Sequence, residues 1–187
     1  ASAWVCCSST EDVVSLLALV RQHAGDTVTS FEIIPSGAIA MVLEDVPGTR
    51  DPLPSDLPWR VLMEVSMVDE AHARDALEKA LEAAFEQDLV KDGVVAASKA
   101  QAQSFWHIRE TIPLSKRAYG TSINQDIAVP VSRIPDFIES CTAAVLEVVP
   151  SAEFVIFGHV GDGNLHYSVC EPAGANAPVL KGHTPAV

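Results

Sequence analysis

The sequence lacks the patterns that mark membrane, secreted and disordered proteins. No apolar run in its 187 residues is long enough to span a bilayer, and residues 1–9 lack the charged start and cleavage site of a signal peptide. Hydrophobic residues make up 48% and charged residues 20% of the chain, which is close to the globular average. We therefore expect a soluble globular chain with a sizeable core and no membrane span.

Positive charge is scarce in this chain. The 12 Lys and Arg residues against 25 Asp and Glu residues give a formal net charge of −13. Such a chain repels phosphate backbones and anionic lipid, and no basic cluster offsets this locally, so we expect no nucleic-acid partner. A site for an acidic substrate must then concentrate a few cations, which makes each interior Arg or Lys informative.

Cysteine motifs and phosphate-binding loops are also missing. The cysteines Cys6, Cys7, Cys141 and Cys170 have no CxxC spacing and three lie in apolar segments, which predicts buried free thiols in a reducing, cytoplasmic setting. No Gly-rich dinucleotide or phosphate loop is present, so the chain does not bind a nucleotide by those means. No serine lies in a nucleophile elbow, which argues against a hydrolase.

The hydrophobic periodicity predicts alternating strands and helices. Strands are predicted at residues 4–7, 59–67, 94–97, 123–129, 154–159 and 165–170, and helices at 10–24, 70–89, 99–118 (interrupted by Pro113) and 134–149. A second apolar stretch covers residues 39–43, and a proline-rich loop follows it. This order predicts an α+β fold, ferredoxin-like, with a mostly antiparallel sheet and helices packed on one face. We expect one domain over residues 1–172 and an irregular tail over 173–187.

The densest chemical signal is residues 158–166 (GHVGDGNLH), where an apolar strand meets a turn. If Asp162 and Gly163 form a two-residue hairpin turn, His159 lies directly opposite His166. Opposed residues share a face with Cβ atoms about 4.5 to 5.5 Å apart, so both imidazoles can reach one divalent ion. The alternative is a simple tight turn with an ordinary cross-strand His contact, because a metal site needs a third ligand that this stretch does not supply.

A second constellation, residues 105–110 (FWHIRE), lies on the predicted helix 99–118. Helical spacing places Arg109 beside the apolar face formed by Phe105 and Ile108. A guanidinium there can clamp a carboxylate with its planar fork. A structural ion pair of Arg109 with Glu110 or a neighbouring acid is the open alternative.

Other charged residues have a weaker signal. Asp126 precedes an apolar run and can order a site, although an acid at a strand edge usually meets water or a backbone amide. The spacing of the remaining cations indicates helix-surface or capping charges. These are Lys99, Lys116, Arg117 and Arg133.

Three motifs in this order, residues 106–110 (WHIRE), 126–130 (DIAVP) and 158–166, resemble the C-terminal domain of FAD-linked oxidases. The resemblance covers about residues 4–172, and the third motif is highly specific. The family includes D-lactate dehydrogenase, the glycolate oxidase flavin subunit and D-2-hydroxyglutarate dehydrogenase. The segments most similar to the bacterial 2-hydroxyglutarate branch are 31–32 (FE), 47–53 (PGTRDPL) and 58–59 (PW).

The resemblance implies a flavoenzyme that oxidises a small D-2-hydroxy acid and passes a hydride equivalent to FAD, which a separate N-terminal domain mainly binds. It implies that His159 and His166 hold a divalent metal, usually zinc, which binds the substrate's hydroxyl and carboxylate oxygens. It also implies that Arg109 binds a substrate carboxylate, with Asn124 and Ser168 at substrate-binding positions. The electron acceptor would be a protein or a quinone, and a homodimer is left open.

The chain departs from the family pattern at three places. Asn124 stands where the family often has Lys, so a second cationic contact is missing, and Ser168 stands where some members have Asn. The third metal ligand and the proton-accepting His are expected in a downstream Glu-His-Gly motif, which does not occur before Val187. We therefore expect an inactive part of an active parent enzyme. A catalytically silent α+β domain for oligomerisation or electron-transfer-partner docking is the alternative.

Overall fold

The computed structural model of the protein describes residues 1–118, 121–171 and 180. Within this part of the chain it forms seven strands and five α-helices. The strands are β1 (Ser2–Cys7), β2 (Val28–Pro35), β3 (Trp59–Val65), β4 (Asp92–Val95), β5 (Ser122–Ala128), β6 (Glu153–His159) and β7 (Asn164–Cys170). The helices are α1 (Thr10–Ala24), α2 (Ser36–Asp45), α3 (Glu70–Glu86), α4 (Lys99–Ala118) and α5 (Ile134–Val148).

Local sequence explains where helices α1 and α3 begin and where α1 ends. The Ser9 hydroxyl caps α1 by accepting a hydrogen bond from the backbone N–H of Asp12 at 3.1 Å. The Asp69 carboxylate caps α3 in the same way, accepting from the N–H of Ala71 at 2.9 Å. Helix α1 ends at Gly25, which has a φ of +58° that side-chain-bearing residues rarely adopt. These boundaries fall within a residue of the predicted ones for α1.

The seven strands form one antiparallel sheet in the order β4-β1-β3-β2-β6-β7-β5. This confirms the predicted α+β class and the antiparallel sheet. The first four strands, with α1 after β1 and α3 after β3, are compatible with a ferredoxin-like arrangement. The hairpin of β6 and β7 and the edge strand β5 extend the sheet on the β2 side.

The prediction that the helices pack on one face is wrong, because the two faces of the sheet are covered by different helices. Strand β1 is buried at all of its positions, so its alternate side chains need cover on opposite sides. Val5 joins a core cluster that includes Leu16 of α1 and Leu77 of α3. Trp4 joins a second cluster that includes Phe105 of α4. Helix α5 contributes to the first cluster and α2 to the second.

The structure adds two elements that were not predicted and corrects one expectation. The strand Val28–Pro35 was not predicted, and the apolar stretch at 39–43 lies inside the helix Ser36–Asp45. Pro113 does not interrupt α4, which continues through it. The predicted tail at 173–187 lies outside the described residues, apart from the buried Leu180, and the domain boundary at 172 stays a prediction.

The four cysteines are free, and Cys6, Cys7 and Cys170 are buried. Burial raises the pKa of the Cys7 thiol to about 12, so it packs as a neutral group. These observations confirm the predicted free thiols, whereas the cytoplasmic setting stays a prediction. Within the described part of the chain, no helix combines the length and apolar character needed to cross a membrane.

Candidate functional site

The predicted site residues meet on the face of the sheet that α4 covers, near the β6-β7 hairpin. Residues opposed in an antiparallel pair point to the same side of the sheet. The relevant opposed pairs are Glu32 with His159, Phe157 with His166, Asp126 with His166, and Asn124 with Ser168. Strands β2, β5, β6 and β7 therefore place these side chains on one surface.

The β6-β7 hairpin has a longer loop than predicted. His159 pairs with Asn164 and not with His166, so the two-residue turn and the directly opposed histidines were wrong. A single turn of 3-10 helix at Val160–Asp162 and Gly163 connect the strands. The difference in register is two residues, which is one full side-chain period, so both histidines keep the same face. Their ring centroids are 6.2 Å apart.

Gly163 explains why the loop takes this form. Its φ of +77° is left-handed, and a Cβ built on it would lie 2.1 Å from the carbonyl oxygen of Val129. Any side chain here would be strained by the backbone conformation and would also collide with the end of the neighbouring β5 segment. The glycine thus lets the hairpin approach the chain after β5 closely, and this approach brings β5 beside His166.

Each histidine has a carboxylate at its Nδ1 atom. His166 Nδ1 lies 2.7 Å from Asp126 Oδ1, and His159 Nδ1 contacts Glu32 Oε1. An ionised carboxylate only accepts hydrogen bonds, so a neutral His166 that donates from Nδ1 to Asp126 would keep the lone pair of its Nε2 free. Carboxylates in this position are typical of metal-ligating histidines, whose tautomer and orientation they fix. The side chains of His159 and His166 are 47% and 34% exposed, so both rings are accessible to a ligand.

Arg109 lies beside this histidine pair and is almost fully buried. Its Nε donates a hydrogen bond to Glu32 Oε2 at 2.7 Å, and its guanidinium carbon lies 4.6 Å from the centre of the Phe157 ring. The ion pair considered above thus forms with Glu32 and not with Glu110. The two terminal nitrogens of Arg109 have no hydrogen-bond partner among the described residues. Its role as a carboxylate clamp stays a prediction.

Glu32 was the residue missing from the sequence-based site. Its side chain has no exposed surface and lies between Arg109 and His159. Although His159 Nδ1 contacts it, Glu32 Oε1 is a buried oxygen without a hydrogen-bond partner among the described residues. The alternation of apolar and polar residues around Glu32, ended by Pro35, is a strand signal that could have located it.

Lys116 does not lie on the helix surface as predicted. It is only 8% exposed, and its Nζ contacts Asn124 Oδ1 and lies 2.6 Å from Ser168 Oγ. Burial lowers the pKa of this ammonium group. The sequence contained a usable signal, because Lys116 follows Arg109 by seven residues, which is about two helical turns, and the two cations share one side of α4.

A cavity of about 230 Å³ is lined by both Lys116 and His166. Its lining residues are Pro113, Lys116, Asn124, Gln125, Asp126, Phe157, His166 and Ser168. All three predicted substrate-binding residues are thus at or near this cavity: Asn124 and Ser168 line it, and Arg109 lies against the Phe157 ring.

Metal binding at His159 and His166 stays a prediction. No group of three His, Cys, Asp or Glu side chains there converges to hold a metal ion. His159 and His166 supply two ligands of the kind that zinc prefers, each with a carboxylate behind it. The third ligand and the proton-accepting base stay predictions.

Comparison with known proteins gives a consistent set of relatives. A family model described as "FAD linked oxidases, C-terminal domain" matches residues 1–179. The mitochondrial D-2-hydroxyglutarate dehydrogenase of Arabidopsis thaliana is 30% identical over 167 residues, which cover 89% of this chain and 29% of that protein. The D-2-hydroxyglutarate dehydrogenase of Stutzerimonas stutzeri (strain A1501) is 38% identical over 147 residues, covering 78% of this chain and 31% of that one. The chain therefore spans about three tenths of the length of these relatives.

The fold also has a counterpart among solved structures. A chain of alkyldihydroxyacetonephosphate synthase superposes with a TM-score of 0.55 at 8% sequence identity, covering 100% of this chain and 38% of that one. At this level of identity the likeness concerns the fold alone.

Proposed function

Because the chain belongs to the family of FAD-linked oxidase C-terminal domains, we propose that it is the substrate-side part of a flavin-dependent dehydrogenase of D-2-hydroxy acids. FAD is then bound mainly by a part of the protein outside this chain, since no Gly-rich phosphate loop occurs here. The named relatives favour D-2-hydroxyglutarate as substrate over lactate or glycolate. The proposal also includes a cytoplasmic location and a protein or a quinone as electron acceptor.

The observation that carries this proposal is the pair of histidines that share one face with a carboxylate behind each. Two imidazoles with their Nε2 atoms available fit a divalent metal such as zinc, with the remaining ligands supplied from elsewhere. A bound metal would supply Lewis-acid stabilisation of the substrate's hydroxyl and carboxylate oxygens.

The residues of this chain have separate tasks in the proposed site. Glu32 and Asp126 hold the imidazoles in the tautomer that leaves Nε2 free. Arg109, packed over the Phe157 ring and fixed by Glu32 at its Nε, keeps its two terminal nitrogens for a substrate carboxylate. Packing of the guanidinium in this way pre-organises the clamp, because little side-chain freedom is left to lose on binding.

The test uses the full-length flavoprotein that contains this chain. Anaerobic addition of D-2-hydroxyglutarate should bleach the visible absorption band of the flavin, and elemental analysis should find a divalent metal. Asp126→Asn should weaken metal affinity by about 10- to 100-fold, because it removes the carboxylate behind His166. Asp162→Asn is the matched control, since Asp162 is an exposed acid at the tip of the same hairpin.

Two results would contradict the proposal. A protein without bound metal whose flavin no 2-hydroxy acid reduces would point instead to a silent α+β domain used for assembly or docking. Equal metal affinity in Asp126→Asn and Asp162→Asn would remove the ligand role of His166.

A further inference from the structure

We propose that Lys116 is a substrate-binding cation that holds the second carboxylate of a dicarboxylic 2-hydroxy acid. This inference rests on the proposed function and deepens it, because it assigns the preference for a dicarboxylate to one residue. It differs from the family pattern noted above, in which the strand position now occupied by Asn124 often has Lys.

The position of the ammonium group is the first argument. Lys116 reaches from α4 across to β5 and β7, and its Nζ contacts the side-chain oxygens of Asn124 and Ser168. Helix α4 thus places a cation directly at the polar side chains of two strands. The Ser168 hydroxyl also donates to Asn124 Oδ1 at 2.9 Å, so the two polar side chains form a fixed cradle under the ammonium.

The second argument is that this buried cation has no anionic partner. No carboxylate lies within ion-pair distance of Lys116 in the described part of the chain, although the chain has 25 acidic residues. An ammonium has three N–H donors, and the two neutral acceptors here leave one without a partner among the described residues. Burying an ammonium without an anionic partner is unfavourable, because the charge loses its hydration, and an anionic ligand bound at Lys116 would offset this cost.

The third argument is the route from Lys116 to the histidine pair. Both Lys116 and His166 line the same 230 Å³ cavity. Lys116 and Arg109 are separated by two helical turns, about 10 Å along α4, and Phe157 lies between the guanidinium and the His166 ring. A hydroxy acid bound at the histidines therefore has a cation within reach for a second acidic group, whereas a monocarboxylate such as lactate would leave that cation unpaired.

The main experiment compares two substrates on the full-length flavoprotein and on its Lys116→Met variant. Methionine keeps the unbranched stem and removes the charge, so the packing should be preserved. We expect kcat/KM for D-2-hydroxyglutarate to fall by about 30-fold, the usual value of a hydrogen bond to a charged group. The value for D-2-hydroxybutyrate, which has one carboxylate, should change by less than about threefold. Arg117→Met, which removes the exposed neighbouring cation, is the matched control and should leave both values unchanged.

A binding measurement separates this inference from the proposed function. Glutarate has both carboxylates but no hydroxyl to oxidise, so its binding can be followed by calorimetry without turnover. We expect Lys116→Met to bind glutarate about 30-fold more weakly than the wild type, with no such difference for butyrate.

The outcomes are distinct. Equal glutarate binding by the wild type and Lys116→Met overturns the assignment of Lys116, whether or not the enzyme oxidises hydroxy acids. An equal loss for D-2-hydroxyglutarate and D-2-hydroxybutyrate also overturns it, because the effect would not depend on the second carboxylate. If the wild type oxidises neither acid but its glutarate binding depends on Lys116, the anion site stands and the proposed reaction fails.

Discussion

The face of the sheet under α1, α3 and α5 differs from the face under α2 and α4. The first is covered by one continuous apolar cluster that reaches from Val5 in β1 to Leu165 in β7. The second is apolar over β1 and β3, where Trp4 and Leu62 belong to one cluster with Phe105 of α4, but near the β6-β7 hairpin it carries polar side chains among the apolar ones. Both faces are built from the same strands, because alternate residues point to opposite sides.

Helix α4 covers both the apolar and the polar part of the second face. Phe105 and Ile108 belong to the apolar cluster, whereas Arg109 and Lys116 reach the polar side chains of β2, β5 and β7. The first face therefore contributes mostly hydrophobic stabilisation, and the second uses part of its area for buried charges. Such charges are expensive to bury and are retained where they hold a ligand or fix a geometry.

The largest expected effect comes from breaking the buried ion pair on the polar face. Glu32→Gln should lower the free energy of unfolding by about 4 kcal/mol, because it leaves the Arg109 charge buried without its partner. Urea unfolding followed by tryptophan fluorescence measures this. Glu110→Gln, at an exposed acid on the same helix, should change it by less than about 0.5 kcal/mol. A loss below about 1 kcal/mol in Glu32→Gln would mean that water screens the pair.

A truncation on the apolar face should cost nearly as much stability without touching the site. Leu77→Ala removes a fully buried side chain of α3 and should lower the free energy of unfolding by about 3 kcal/mol through the cavity it leaves. Metal affinity should equal that of the wild type. Leu146→Ala, at a partly exposed position of α5, serves as the control for stability. A change in metal affinity in Leu77→Ala would show that the two faces are coupled.

The smallest expected effect at neutral pH is the contribution of Cys7 to the apolar face, because it depends on pH only above pH 9. The pKa of its thiol is raised from 9.0 to about 12 in the fold, so above pH 9 the folded chain binds more protons at this site than the unfolded chain. The stabilisation is complete below pH 9 and is lost as the pH rises towards 12, by at most about 1.4 kcal/mol per pH unit.

Urea unfolding at successive pH values above 9 tests this contribution. Cys7→Ala should lose stability less steeply with pH than the wild type. Val5→Ala, a truncation in the same strand and the same core cluster, should lower stability while keeping the wild-type slope. Identical slopes for the wild type and Cys7→Ala would show that Cys7 ionises equally in both states.

Local signals were sufficient for most secondary structure. Caps, glycines and apolar periodicity predicted four of the five helices and six of the seven strands, because these depend on neighbours within a few residues. The strand Val28–Pro35 was missed, since the consecutive apolar residues Ile33 and Ile34 break its alternation. Helix α4 continues through Pro113, although a proline usually ends or kinks a helix, because tertiary packing outweighs local preference.

The sequence by itself determined the α+β class, the motif with its two histidines, and the family to which the chain belongs. Only the tertiary structure decided that Glu32 lies behind His159, that the histidines are diagonal neighbours, and that Lys116 is buried at Asn124. Each of these depends on strand register or on the docking of α4. Register is set by pairing between residues far apart in the chain, and a change of one residue moves every side chain to the other face.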